Sequence, residues 1–236
     1  MNKNMIIKVC GMRDADNIRE VENLLILNSK FSINWMGFIF WPKSSRYVSE
    51  MPAYLPTKCK RVGVFVDASI GDVMTIAEQY QLDLIQLHGQ ESPSYIAQLT
   101  SHLLTLSPSW TSQAAKPSAH PLKIIKALNI ATEADLEATK RYEGYVDYFL
   151  FDTKGKSVGG NGEKFDWSVL TAYKGTTPFL LSGGIGPDDA ERVKAFNHPK
   201  CIGIDLNSKF EIIPALKDAN KLQLFLTNIK SHHSSP

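Results

Sequence analysis

Leu180-Leu181-Ser182-Gly183-Gly184-Ile185-Gly186-Pro187-Asp188-Asp189 carries an apolar run, a glycine turn and a helix start in immediate succession. Adjacent glycines let the backbone approach an anion without a Cβ in the way, and amides at a helix start carry partial positive charge. Pro187 suits the first helical position, where its missing N–H costs nothing. The stretch therefore reads as one strand-to-helix unit with room for a phosphate at its turn, although many such turns hold no ligand.

The same couple recurs along the chain. Apolar, β-rich runs fall at 6–10, 35–40, 61–66, 82–87, 123–127, 148–152, 179–182 and 201–206. Several are nearly continuous in Val, Ile, Leu and Phe, as parallel strands covered on both faces require. Between them, apolar residues repeat at helical spacing: Ile18, Val21 and Leu25; Ile70, Val73, Met74 and Ala77; Ile96, Leu99 and Leu103; Leu222, Phe225, Leu226 and Ile229. Ser92-Pro93 reads as a cap and first helical residue, and Thr132 with Asp135 as a capping box. Short helices are expected near 51–55 and 167–173.

Eight such units in 236 residues predict one α/β domain over 1–230, a closed parallel eight-stranded (β/α)8 TIM barrel, followed by a polar tail at 231–236 expected to be disordered. An open doubly wound sheet is the alternative. Its usual fingerprint is missing, because Cys10-Gly11-Met12-Arg13 after the first run is not a dinucleotide loop. Two stretches break the rhythm. The Pro- and Ser-rich segment 107–121 reads as a long surface loop on the αβ side, and the glycine-rich segment 154–164 as a mobile lid on the βα side.

Composition narrows the partners. Hydrophobic residues make up 43% and charged residues 21%, and the net charge of +2 gives no bias toward nucleic acid. No run approaches the ~18 apolar residues of a membrane span, and the first residues lack the apolar stretch of a signal peptide. Cys10, Cys59 and Cys201 are odd in number and widely spaced, which predicts neither a disulfide framework nor a metal site. A cytoplasmic location is expected, and both a monomer and a homodimer fit.

In a barrel of this kind the chemistry sits at the carboxyl ends of the strands. The first run ends at Cys10, a thiol whose pKa nearby Lys8 or Arg13 can lower. The sixth ends at Asp152, where an acid has no packing reason to be, although it can also cap the following turn. Together they can take and give protons across one barrel mouth. Arg46, between Ser45 and Tyr47, can clamp a carboxylate or lie solvated at the surface. His88 can bind substrate or merely tie neighbouring loops together. Asp205, Asn207 and Ser208, where the eighth run ends, fall beside the Gly183-Gly184 turn, where these barrels commonly hold phosphate.

Seven ordered motifs resemble the phosphoribosylanthranilate isomerases. They are Lys8-Val9-Cys10-Gly11; Gly37 to Phe40 with Ser44-Ser45-Arg46-Tyr47; Val62 to Val66; Gln86-Leu87-His88-Gly89-Gln90-Glu91; Phe151-Asp152-Thr153 with Gly159 to Trp167; Ser182-Gly183-Gly184; and Gly203-Ile204-Asp205 through Pro214, Lys217 and Asp218. The match extends from about residue 8 to residue 229, interrupted chiefly at 107–121. The resemblance implies an Amadori rearrangement of N-(5-phosphoribosyl)anthranilate in tryptophan biosynthesis, on a small phosphorylated sugar–anthranilate substrate, with no metal or organic cofactor. It implies Asp152 as general acid, Cys10 as general base, Arg46 on the anthranilate carboxylate, and Gly183, Gly184 and the amides around Asn207 and Ser208 on the phosphate. In those roles Cys10 must be partly ionised near neutral pH and Asp152 protonated.

The chain departs from the family pattern at Ser45 for proline, Asn161 for threonine, and Asn207 and Lys209 for serine and glycine. A glycine in a phosphate loop can need φ > 0, so Lys209 is expected either to strain that loop or to add a cation to it. Two other functions stay open at this point. Related phosphate-handling barrels, such as indole-glycerol-phosphate synthase or a histidine-pathway isomerase, would want a catalytic lysine with glutamates, or a second aspartate in place of Cys10. A barrel that binds a phosphorylated ligand without turning it over is the other.

Overall fold

Eight strands pair in sequence order into a closed parallel barrel: β1 (Ile6–Cys10), β2 (Trp35–Ile39), β3 (Lys60–Phe65), β4 (Leu84–Leu87), β5 (Lys123–Ile130), β6 (Tyr148–Thr153), β7 (Phe179–Ser182) and β8 (Cys201–Leu206). This computed structural model describes residues 5–24, 33–105, 122–153 and 166–230. The expected lid at 154–164, the loop at 107–121, Leu25, Asn161 and the tail at 231–236 lie outside the described residues.

The register decides which side chains enter the barrel. Lys8 sits opposite Trp35 on one side and Asp205 on the other, and Cys10 opposite Gly37. The same row continues through Val64 and Gln86, and through Asp152 and Ser182. Successive strand residues point to opposite faces, so these positions face inward together. Trp35, Val62, Leu84, Ile125, Ala127, Leu150 and Leu180 fill the interior as one apolar cluster. The alternate residues, among them Ile7, Phe38, Ile85, Phe149 and Leu181, form a larger cluster beneath the outer elements. Burial on both faces is why several of these strands read as nearly continuous apolar runs.

The outer elements follow the expected faces. Helix α1 (Ala15–Glu22) buries Ile18 and Val21, and α2 (Ile70–Gln79) buries Val73 and Ala77. In α3 (Pro93–Thr105) the Ser92 hydroxyl accepts from the Tyr95 amide at 3.1 Å, the predicted cap. Thr132 and Asp135 form the predicted capping box, but the segment they open, Glu133–Arg141, is a 3-10 helix, as is Trp167–Ala172. Pro187 opens a 3-10 turn (Pro187–Asp189) that passes into α4 (Ala190–Ala195). The last helix, α5 (Ala219–Lys230), buries Leu222, Phe225 and Leu226.

One expected element is missing, and one pair of strands was not anticipated. No helix forms near 51–55. Pro52 and Pro56 interrupt that stretch, and Glu22 holds the chain there by accepting from the Tyr54 hydroxyl and the Thr57 and Lys58 amides. After β8 the chain makes a 3-10 turn (Ser208–Phe210) and an antiparallel hairpin of β9 (Glu211–Ile213) and β10 (Leu216–Lys217), which the apolar pattern did not signal. Among the described residues no helix is long and apolar enough to cross a membrane.

Leu150 is fully buried in the inner cluster. Leu150→Ala is expected to lower stability by about 2–5 kcal/mol in urea unfolding. A loss under about 1 kcal/mol would mean that the interior is not close-packed.

Candidate active site

The carboxyl ends of the strands surround a cavity of about 220 Å³. Cys10, His88, Asp152, Gly183, Gly184, Asp205, Asn207 and Ser208 all line it, joined by Gln86, Ser182 and Lys209. Of the residues singled out from the sequence, only Arg46 is missing from that lining.

Asp152, the last residue but one of β6, has its side chain 18% exposed, and its Oδ2 lies 3.7 Å from His88 Nε2. Gln86 Nε2 is 3.0 Å from His88 Nδ1. An amide nitrogen only donates, so in this arrangement Nδ1 accepts and the proton of a neutral ring is on Nε2, toward Asp152. Gln86 Oε1 is buried at the cavity wall without a hydrogen-bond partner among the described residues. A polar atom so placed is suited to receive a ligand hydroxyl.

Cys10 faces the cavity from β1 and is almost wholly buried. Burial pushes its thiol up from the ordinary value, against the pull of the Lys8 and Lys217 ammonium groups, and the nearby Asp205 carboxylate pushes the same way as burial. The expected lowering by neighbouring cations is thus present but outweighed. Arg13 takes no part in it, because its guanidinium turns to the carbonyls of Ser45 and Tyr47, each at 3.4 Å.

The glycine turn is built as its sequence requires. Gly183 and Gly184 have φ of 96° and 66°, in the left-handed region. A Cβ on Gly183 would lie 2.1 Å from the Thr153 carbonyl oxygen, so the turn is pressed against the end of β6. Across from it, Lys209 falls within the 3-10 turn Ser208–Phe210 and not among the residues of positive φ. The strain considered for a lysine there does not arise, and the side chain adds to the cavity wall. Asp205 also lines the cavity, but its oxygens go to Lys8 Nζ at 2.8 Å and Ser182 Oγ at 3.3 Å.

Arg46 is half-buried and tied to a carboxylate. Its Nε donates to Glu211 Oε1 at 2.8 Å and an Nη donates to Oε2 at 2.6 Å. Lys217 Nζ, fully buried, donates to the same carboxylate at 2.6 Å and to Asn207 Oδ1 at 2.8 Å. Two cations therefore share one carboxylate next to the cavity, leaving an excess of positive charge suited to an incoming anion. Glu211, Lys217 and Gln86 were not assigned roles from the sequence. Gln86 carried a signal, a polar residue inside the apolar run Leu84-Ile85-Gln86-Leu87, whereas Glu211 had none short of knowing the hairpin.

A closed eight-stranded barrel whose cavity combines an acid, a thiol and a glycine turn after the seventh strand defines a phosphate-handling barrel enzyme of the proton-transfer type. The family model for N-(5'-phosphoribosyl)anthranilate (PRA) isomerase matches residues 7–119 and 109–228. The chain is 48% identical to the N-(5'-phosphoribosyl)anthranilate isomerase of Parabacteroides distasonis, covering 95% of this chain and 93% of that protein. It is 45% identical to that of Phocaeicola vulgatus, over 96% and 98%. The crystal structure of phosphoribosyl anthranilate isomerase from Thermotoga maritima is similar with a TM-score of 0.73 and 26% identity, over 96% of this chain and 98% of that one. The chain belongs to the phosphoribosylanthranilate isomerase family.

Burial would raise the Glu211 carboxyl, but hydrogen bonds from Arg46 and Lys217 outweigh it and hold the group below its ordinary value. Glu211→Gln leaves two cations unbalanced and is expected to cost on the order of 3 kcal/mol near neutral pH. A depressed folded-state pKa gives stability that is complete above the unfolded value, ~4.3, and is lost as pH falls through the folded one. Urea unfolding should therefore show the gap between wild type and variant narrowing only in acid. A gap constant with pH, or none at neutrality, would contradict this.

Proposed function

We infer that the cavity carries out the reaction of the family, the Amadori rearrangement of N-(5-phosphoribosyl)anthranilate to 1-(2-carboxyphenylamino)-1-deoxyribulose 5-phosphate, in tryptophan biosynthesis. The observation that carries the residue assignment is the meeting of Cys10, Asp152 and the Gly183-Gly184 turn around one small cavity. The first two stand on different walls, and the turn closes a third.

The phosphate is held at the Gly183-Gly184 turn and by the backbone around Asn207 and Ser208, with the Lys209 side chain as an added cation. Arg46, oriented by Glu211, meets the anthranilate carboxylate. Asp152 gives its proton to the furanose ring oxygen, the C1'–O bond breaks, and the nitrogen lone pair forms the imine. Cys10 as thiolate then takes the proton from C2', the electron pair moves to give the enolamine, and tautomerisation yields the aminoketose. His88 carries its ring proton toward Asp152 and helps hold that carboxyl in place. Every bond change is a proton transfer or a shift of an electron pair within the substrate.

Proton-transfer groups of this kind contribute about 10²–10⁴-fold in rate. Cys10→Ala and Asp152→Asn should each lower turnover by that much or more, followed as the fluorescence decay of freshly made substrate, while circular dichroism stays native. Wild-type turnover in either variant would remove that residue from its role. Binding of substrate by the wild-type protein without fluorescence decay would favour a barrel that only holds the ligand.

A further inference from the structure

Strand alternation places one more ionisable group beside the proposed base. Lys8 precedes Cys10 by two residues on β1, shares its inward face, and is fully buried. Its Nζ lies 2.8 Å from Asp205 Oδ1 on the neighbouring β8. On the other side, Cys10 pairs with Gly37 of β2. A Cβ built on Gly37 would stand 2.8 Å from Cys10 Sγ and 3.3 Å from Lys8 Nζ. Thiol and ammonium thus share the space that this glycine leaves open.

A lysine inside a barrel is costly unless it is paired and put to use. Asp205 accounts for the pairing. It does not account for a cation directly beneath the cavity thiol, where the interior is otherwise filled by Trp35, Val62 and Leu84.

We propose that Lys8 is a positioning residue for Cys10: Asp205 anchors its ammonium, and the gap at Gly37 lets that ammonium act as the hydrogen-bonding counter-ion of the Cys10 thiolate. This rests on the reading of Cys10 as the base. The charged groups facing the sulphur are Lys8 from its own strand, Asp205 from β8, Lys217 from β10 and Arg46 from the segment after β2. Burial disfavours the thiolate most strongly. Lys8 is the cation that opposes this most. Burial also disfavours the charged ammonium of Lys8, but Asp205 and the sulphur more than reverse this, so Lys8 remains a cation. When the thiolate takes the substrate proton the attraction ends, so the contact favours the form that starts the reaction.

The test is the titration of Cys10 by thiolate absorbance, with Cys10→Ala subtracted. Burial pushes Cys59 and Cys201 up to about 12 and about 11, and the subtraction removes them. In Lys8→Met the midpoint should rise by about one pH unit, a tenfold loss of thiolate at fixed pH, and Lys8→Arg should restore most of it. The acid limb of kcat/KM should move up with the titration, with kcat falling far more than KM rises. Gly37→Ala keeps the Lys8–Asp205 pair and drives a methyl between sulphur and ammonium, so it should give the same upward shift and decides the matter if Lys8→Met does not fold. A wild-type midpoint in either folded variant overturns the proposal. A shifted titration with an unshifted rate profile upholds the Lys8 contact and removes Cys10 from the role of base.

Discussion

One constraint places the cavity side chains that the barrel strands carry: in a closed barrel, residues two apart along a strand share a face, and pairing carries that face from strand to strand. Lys8 and Cys10 on β1, Gly37 on β2, Gln86 on β4, Asp152 on β6, Ser182 on β7 and Asp205 on β8 belong to one inward set. A slip of one residue at β1 would turn Cys10 and Lys8 outward and bring Val9 into the mouth. The apolar residues of the outer set resist such a slip, since Ile7, Val9 and Met36 are fully buried against the helices.

Within that frame the charges fall into two groups on either side of Cys10. Below it is the pair Lys8–Asp205; beside it is Arg46 with Glu211, Lys217 and Asn207. Gly11 joins them. It has φ of 79°, and a Cβ there would lie 2.7 Å from Arg46 Cδ and 2.9 Å from Asn207 Oδ1. The residue after the thiol must therefore be small for the arginine and the turn after β8 to close over β1. Asp205 balances one cation, Lys8, whereas Glu211 faces two, Arg46 and Lys217, so the positive charge left over lies on the Glu211 side of Cys10, where it suits an anionic substrate.

The strands were legible because parallel strands buried on both faces leave no polar alternation to confuse the reading, and β7 and β8 fall where their apolar runs do. Helix caps at Ser92 and Thr132 were legible for a local reason: the Ser92 hydroxyl accepts from the amide three residues on, and the Asp135 carboxylate accepts from the Thr132 amide three residues back. The helix expected near 51–55 failed because bonds from Glu22, far away in sequence, fix that stretch. Strands of three and two residues in the β9–β10 hairpin are too short for any periodicity to show. At the site, the rule that chemistry sits at strand ends singled out Cys10, Asp152 and the glycine turn, which the structure brings to one cavity. It missed the partner of Arg46, because Glu211 is 165 residues away and meets it only through the hairpin. The sign of the Cys10 shift was also hidden, since it depends on how deeply the strand end is buried.

Replacing the thiol of Cys10 by a base of different acidity tests its role as the base most directly. Cys10→Asp keeps an ionisable group on the same strand position while lowering its intrinsic pKa from ~8.5 to ~3.9. If Cys10 takes the substrate proton, the acid limb of the kcat/KM profile should move down by several pH units in this variant while measurable turnover remains. An acid limb at the wild-type position in an active Cys10→Asp protein would assign the proton to another group.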